Sequence, residues 1–153
     1  MKMAKYFLSI LLFGAFWSCT TTQKTVNTTD CELLNEDIRL FAVDPFESVY
    51  IVNTKNRLNA YDPELNLLYT YFNNRFGSIT SIDISNPKKI LVFFKDFQQL
   101  VFLDNTLTDL YQLKREFNFD YDIRAAGSSR DNKVWIYDGL DYRLKKIDEK
   151  GDV

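Results

Sequence analysis

The clearest pattern along the chain lies at its centre. Ile90–Phe94 is apolar at all five positions, a polar turn follows at Lys95–Gln98, and a second run, Gln99–Leu103, ends on Asp104. An uninterrupted apolar stretch this short predicts a strand covered on both faces of its sheet. The same arrangement precedes it as Val49–Val52, a turn at Asn53–Asn56, and Arg57–Asp62. It follows again as Val134–Tyr137, a turn at Asp138–Tyr142, and Arg143–Asp148. The pattern [RQ]-L-x-x-[YLI]-D recurs without a gap at Arg57–Asp62, Gln99–Asp104 and Arg143–Asp148, with spacings of 42 (99 − 57) and 44 (143 − 99) residues.

The flanks repeat as well. First strands are expected at Ile38–Val43, Ile79–Ile84 and Ile123–Gly127, each leading through a polar turn into the apolar strand. Those turns, Asp44–Ser48, Ser85–Lys89 and Ser128–Lys133, draw on Pro, Asn, Asp and Ser, which set tight-turn geometry. Fourth strands are expected at Leu65–Tyr71 and Leu107–Leu113, and the third unit reaches Val153 without one. Four strands per period of about 42 residues predict an all-β fold of four-stranded antiparallel propeller blades. Three blades over residues 38–153, the third incomplete, make an open β-propeller. Blades pack face to face, so Phe41, Tyr50, Phe93, Phe94, Phe102, Trp135 and Tyr137 are expected in the core. Asp62, Asp104 and Asp148 recur at the end of the third strand, a place for turn chemistry rather than for a single active site.

The wording of the units is more specific than their period. Asn56–Pro63 reads N-R-L-x-x-Y-D-P, and Ile147–Gly151 carries a D-x-x-G turn. In these features the chain from Ile38 to Val153 resembles the NHL-like and six-bladed β-propeller families. The resemblance implies the fold and leaves the activity open, because such blades serve enzymes, receptors and scaffolds alike. Because a propeller closes with four to eight blades, three are expected to be the N-terminal part of a longer protein, the alternative being a ring completed by copies or a partner. The Gly-His and Trp-Asp pair of WD40 repeats is absent.

Before the repeats the chain changes character. Lys2 and Lys5 precede an apolar run, Phe7–Trp17, too short to span a bilayer as a helix, which closes on Ser18-Cys19. This arrangement resembles a bacterial lipoprotein signal; an ordinary secretory signal or an uncleaved anchor is the alternative. The resemblance implies a signal peptide over residues 1–18, a Cys19 that carries lipid (palmitate among its chains), and a tether through residue 37 rich in threonine. It further implies a bacterial cell-envelope protein attached to the outer membrane and facing the periplasm. Cys31, the other cysteine, has no partner in the chain and is expected to be buried, paired between molecules, or paired with residues beyond this sequence.

Charge and composition exclude several chemistries. With 19 basic and 21 acidic residues and no concentrated basic face, the chain is not built to hold nucleic acid. It contains no histidine, which removes Ser-His-Asp, Cys-His and histidine-metal arrangements. Its five glycines are scattered and form no phosphate loop. No cofactor and no metal is expected, although Asp120 with Asp122, or Asp138 with Asp141, are the carboxylate pairs able in principle to hold Ca²⁺ or to act as acid and base.

A ligand site is expected where the loops between second and third strands meet the connections between blades. Asn53, Asn56, Arg75, Phe97, Phe117, Tyr121 and Tyr142 are its candidate residues, with Phe76, Asp96, Gln98, Phe119, Asp138 and Asp141 beside them. Aromatic rings mixed with Asn, Arg and Asp suit a protein, peptide or glycan; the alternative places Phe117, Phe119 and Tyr121 between blades. Two function classes follow: a membrane-anchored envelope binding or scaffold module, or an N-terminal fragment of a propeller-fold envelope hydrolase or lyase whose catalytic groups lie partly in other blades.

Overall fold

The computed structural model describes residues 37–113 and 121–153; the signal, the tether, Cys19, Cys31, Phe117, Phe119 and Asp120 lie outside the described residues. The described chain is all strand and turn. Blade one comprises β1 (Ile38–Val43), β2 (Val49–Asn53), β3 (Arg57–Tyr61) and β4 (Leu67–Phe72); blade two comprises β5 (Ser81–Asp83), β6 (Ile90–Phe94), β7 (Gln99–Leu103) and β8 (Asp109–Leu113). Blade three comprises β9 (Ile123–Ser128), β10 (Val134–Asp138) and β11 (Arg143–Ile147). Every pairing is antiparallel between sequence neighbours, giving two four-stranded meanders and one of three strands.

The central blade explains the unbroken apolar runs. All ten residues of β6 and β7 are buried. Because side chains alternate along a strand, Ile90, Val92, Phe94, Val101 and Leu103 point toward blade one, where they meet Tyr50, Val52, Leu58, Ala60 and Tyr71. Leu91, Phe93, Leu100 and Phe102 point the other way, against Ile123, Val134, Ile136 and Ile147 of blade three. Blade two therefore has two apolar faces, each burying a neighbour.

The far face of blade three behaves differently, and this corrects the expected core. Along β10 burial alternates, with Val134, Ile136 and Asp138 buried but Trp135 and Tyr137 nearly 40% exposed. Trp135 pairs with Lys146 and Tyr137 with Leu144, the register that faces Leu91 with Phe102 and Phe93 with Leu100 in blade two. In blade two those positions are covered by the next sheet; among the described residues no sheet covers them in blade three. Phe41 is likewise exposed, on the face of β1 turned away from blade two.

Turns account for the remaining differences. Leu65 and Leu107, expected to open fourth strands, sit at φ 65° and 59°, outside the strands, and Gly151 takes the same place in blade three at φ 88°. Each closes a turn begun by the recurring aspartate. The Asp104 carboxylate accepts from the Thr106 and Thr108 N–H groups, the Leu107 N–H donates to the Asp104 carbonyl, and Asp62 and Asp148 do the equivalent. These bonds favour the ionised carboxylate and hold all three groups below their ordinary pKa.

Candidate functional site

At one end of the blades, here the upper end, lie the loops β2–β3, β6–β7 and β10–β11 together with the connections between blades. The last residue of each loop has a left-handed backbone: Asn56 at φ 62°, Gln98 at 51° and Tyr142 at 59°. In the first two blades that residue carries an amide, and the amide reaches the next blade. Asn56 donates from Nδ2 to the Gly77 carbonyl (2.9 Å), while the Ile79 N–H donates to its Oδ1 (2.8 Å). Gln98 repeats the device one blade on, donating from Nε2 to the Ile123 carbonyl (3.1 Å) and accepting from the Ile123 N–H. An amide offers a donor and an acceptor in one plane, so a single side chain satisfies both backbone groups at the start of the following blade. Tyr142 holds the corresponding place in blade three with its ring 77% exposed.

Several expected ligand residues are thus engaged in structure. Asn53 is buried and its Oδ1 accepts from the Lys55 and Arg57 N–H groups, capping the loop. Gly77 turns at φ +77°, and a Cβ there would come within 2.7 Å of the Asp96 carboxylate, so the connection admits only glycine without a shift. Arg75 is exposed and lies 5.6 Å over the Phe76 ring, which in turn meets Phe94 edge-on. Phe97 is 56% exposed. Tyr121 is half-buried, with the Lys145 ammonium 4.8 Å above its ring.

The carboxylate pair in blade three is organised around that same lysine. Lys145 Nζ lies 2.6 Å from Asp138 Oδ2 and 2.9 Å from Asp141 Oδ2. Asp138 is fully buried, and its Oδ1 accepts from the Asp122 and Leu140 N–H groups at 3.0 Å each. Burial works against its ionisation, but the Lys145 ammonium and the two amides outweigh it and hold the carboxyl below its ordinary value. The two carboxylates hold Lys145 above its own. Both groups are thereby fixed in their charged forms, which suits an ion-paired clamp; neither is poised near neutrality to move a proton. Beside it Arg124 pairs with Asp122 at 2.6 Å. Among the described residues no cluster of three or more metal-ligating side chains occurs.

The lower end, where the β1–β2, β3–β4, β5–β6 and β7–β8 turns lie, holds a feature that the repeat pattern does not announce. A concavity of about 500 Å³ opens between blades one and two, with Phe46, Tyr50 and Tyr69 on one side and Pro87, Lys88 and Asn105 on the other. Sequence reasoning missed it because its walls come from turns and strand ends of two different blades.

No protein-family model matches the chain, and no curated protein matches it in sequence. Solved structures do match in shape. A protein of unknown function from Bacteroides caccae superposes with a TM-score of 0.57 at 14% identity, over 77% of this chain and 48% of its own. Virginiamycin B lyase from Staphylococcus aureus gives 0.55 at 10% identity, over 73% of this chain and 38% of the lyase. An exported protein from Bacteroides fragilis gives 0.54 at 12% identity, over 76% and 36%. The chain spans about half or less of the length of these structures. At such identities the likeness is one of fold, and the neighbours are β-propellers. The described residues form an all-β, open run of antiparallel propeller blades.

Proposed function

We propose that this chain is a membrane-anchored envelope lipoprotein whose propeller blades bind or scaffold a partner and carry out no catalysis. The observation that carries this reading is the commitment of the upper end to holding blades together. Asn56 and Gln98 tie one blade to the next, and Asp138 and Lys145 neutralise one another within blade three. The side chains left exposed there, Arg75, Phe97 and Tyr142, are of the kind that anchor a protein or peptide surface. Membrane attachment rests on Lys2, Lys5, the apolar run and Ser18-Cys19.

Two measurements test the parts separately. Mass spectrometry of membrane fractions should find an acylated N-terminal Cys19, and Cys19→Ala should release the protein or leave its signal uncut. Retention with normal processing in that variant would refute lipid anchoring. In vivo crosslinking followed by affinity capture should recover an envelope partner several-fold less with Arg75→Ala and Tyr142→Ala together. Unchanged recovery would remove the upper end as the binding surface.

A further inference from the structure

The lower concavity has a feature that the turns around it do not use up. Asp44 is only 7% exposed, and its Oδ1 already accepts from the Phe46 and Ser48 N–H groups at 2.8 and 2.9 Å. Its other carboxylate oxygen accepts no hydrogen bond among the described residues, and Asp44 lines the concavity. That oxygen is accessible rather than buried, and so is open to accept from water or a ligand. Tyr50, beside it, has its hydroxyl pKa raised by burial and then by the Asp44 charge, so it stays protonated and able to donate. Phe46 is 73% and Tyr69 41% exposed, which leaves aromatic surface facing solvent at the same opening.

We infer that this concavity between blades one and two is a binding site for a neutral sugar ring, separate from the upper end and independent of the function proposed above. Charge decides between ligand classes. The lining carries one acid, Asp44, and one base, Lys88, so a cation would meet the lysine and an anion the aspartate. A polyol meets neither penalty. Its hydroxyls donate to the free Asp44 oxygen and accept from Lys88, while Asn105 and the tyrosine hydroxyls can do either. The apolar face of the ring lies on Phe46 or Tyr69. A volume of about 500 Å³ lies within the usual range of small-ligand pockets and accommodates one or two pyranose rings.

The test uses the full chain in a detergent without a sugar headgroup, observed by saturation-transfer NMR. The probes are cellobiose, maltose and N,N′-diacetylchitobiose, with tetramethylammonium and inorganic phosphate as charged alternatives. At least one disaccharide should receive saturation, and its affinity should fall about tenfold or more with Phe46→Ala. Phe46 is exposed, so this variant keeps the fold. Asp44→Asn retains one acceptor for the turn while replacing the free oxygen, and should weaken binding comparably. Saturation of none of the three sugars, affinity unchanged from the native chain in either variant, or preferential binding of tetramethylammonium or phosphate would each overturn the assignment.

Discussion

Phe94→Ala should lower the unfolding free energy by about 4 kcal/mol, the usual cost of emptying a large aromatic site in a packed core. Phe94 is fully buried at the end of β6 on the face turned to blade one, and Phe76 from the inter-blade connection packs edge-on against it at 5.6 Å between centroids. The site has little freedom to collapse, because β6 is hydrogen-bonded on both edges and the sheets on both sides are fixed by other contacts. Phe93→Ala, one residue earlier and facing blade three, should cost a similar amount by opening the other interface. Phe41→Ala provides the contrast: its ring is 71% exposed, and its loss should change stability by less than about 0.5 kcal/mol. Denaturant unfolding followed by circular dichroism separates these outcomes. Equal effects of Phe41 and Phe94 would contradict the assignment of faces.

Asp138→Ala should cost about 3 kcal/mol, since it strips the hydrogen-bond acceptor from two backbone amides and leaves a lysine with only one carboxylate. Asp138→Asn should cost less, because the side-chain carbonyl still accepts from the amides. The same group predicts a pH dependence. Its folded pKa is lowered, so its contribution is complete above the unfolded value and is lost as pH falls through the folded one, below about pH 4. Lys145 has a raised pKa, so its share is present below the ordinary lysine value and disappears only at strongly alkaline pH. The loss of stability between pH 5 and pH 2 should therefore be smaller in Asp138→Asn than in the native chain. An equal loss in both would show that Asp138 does not contribute to it.

A smaller effect is expected at the blade-to-blade amides. Asn56→Asp keeps the acceptor for the Ile79 N–H but loses the donor to the Gly77 carbonyl, and should cost about 1 kcal/mol. Thermal unfolding monitors it, and a neutral result would mean that solvent replaces that bond without loss.

The blades were legible because their period and their face pattern are written in neighbouring residues. Ile90–Phe94 is apolar throughout and is buried throughout; the strand positions of β2, β3, β6, β7, β10 and β11 follow from such runs and their turns. Burial of single residues was less legible. Val134–Tyr137 is as apolar as Val49–Val52, yet Trp135 and Tyr137 stay exposed because coverage depends on a neighbouring sheet, which local sequence does not encode. Leu65 and Leu107 were misplaced for another reason: an apolar residue reads as strand, whereas here the turn demanded a left-handed backbone at that step. The role of Asn56 and Gln98 was visible only as an amide recurring before the [RQ]-L motif, a signal shared with any polar loop. The lower concavity left no local trace, since Phe46, Tyr69 and Lys88 come together only when blades one and two are packed.

Stability in such a stack is close to a sum of terms for each unit and each interface, so a blade with two neighbours should open less readily than a blade with one. Native-state hydrogen exchange on the full chain measures this ordering directly. The account predicts that amides of β6 and β7 exchange slowest, and that those of β10 and β11, whose sheet is covered on one face among the described residues, exchange faster by an order of magnitude or more. Protection across β9–β11 equal to that of β6 and β7 would contradict the open run of blades.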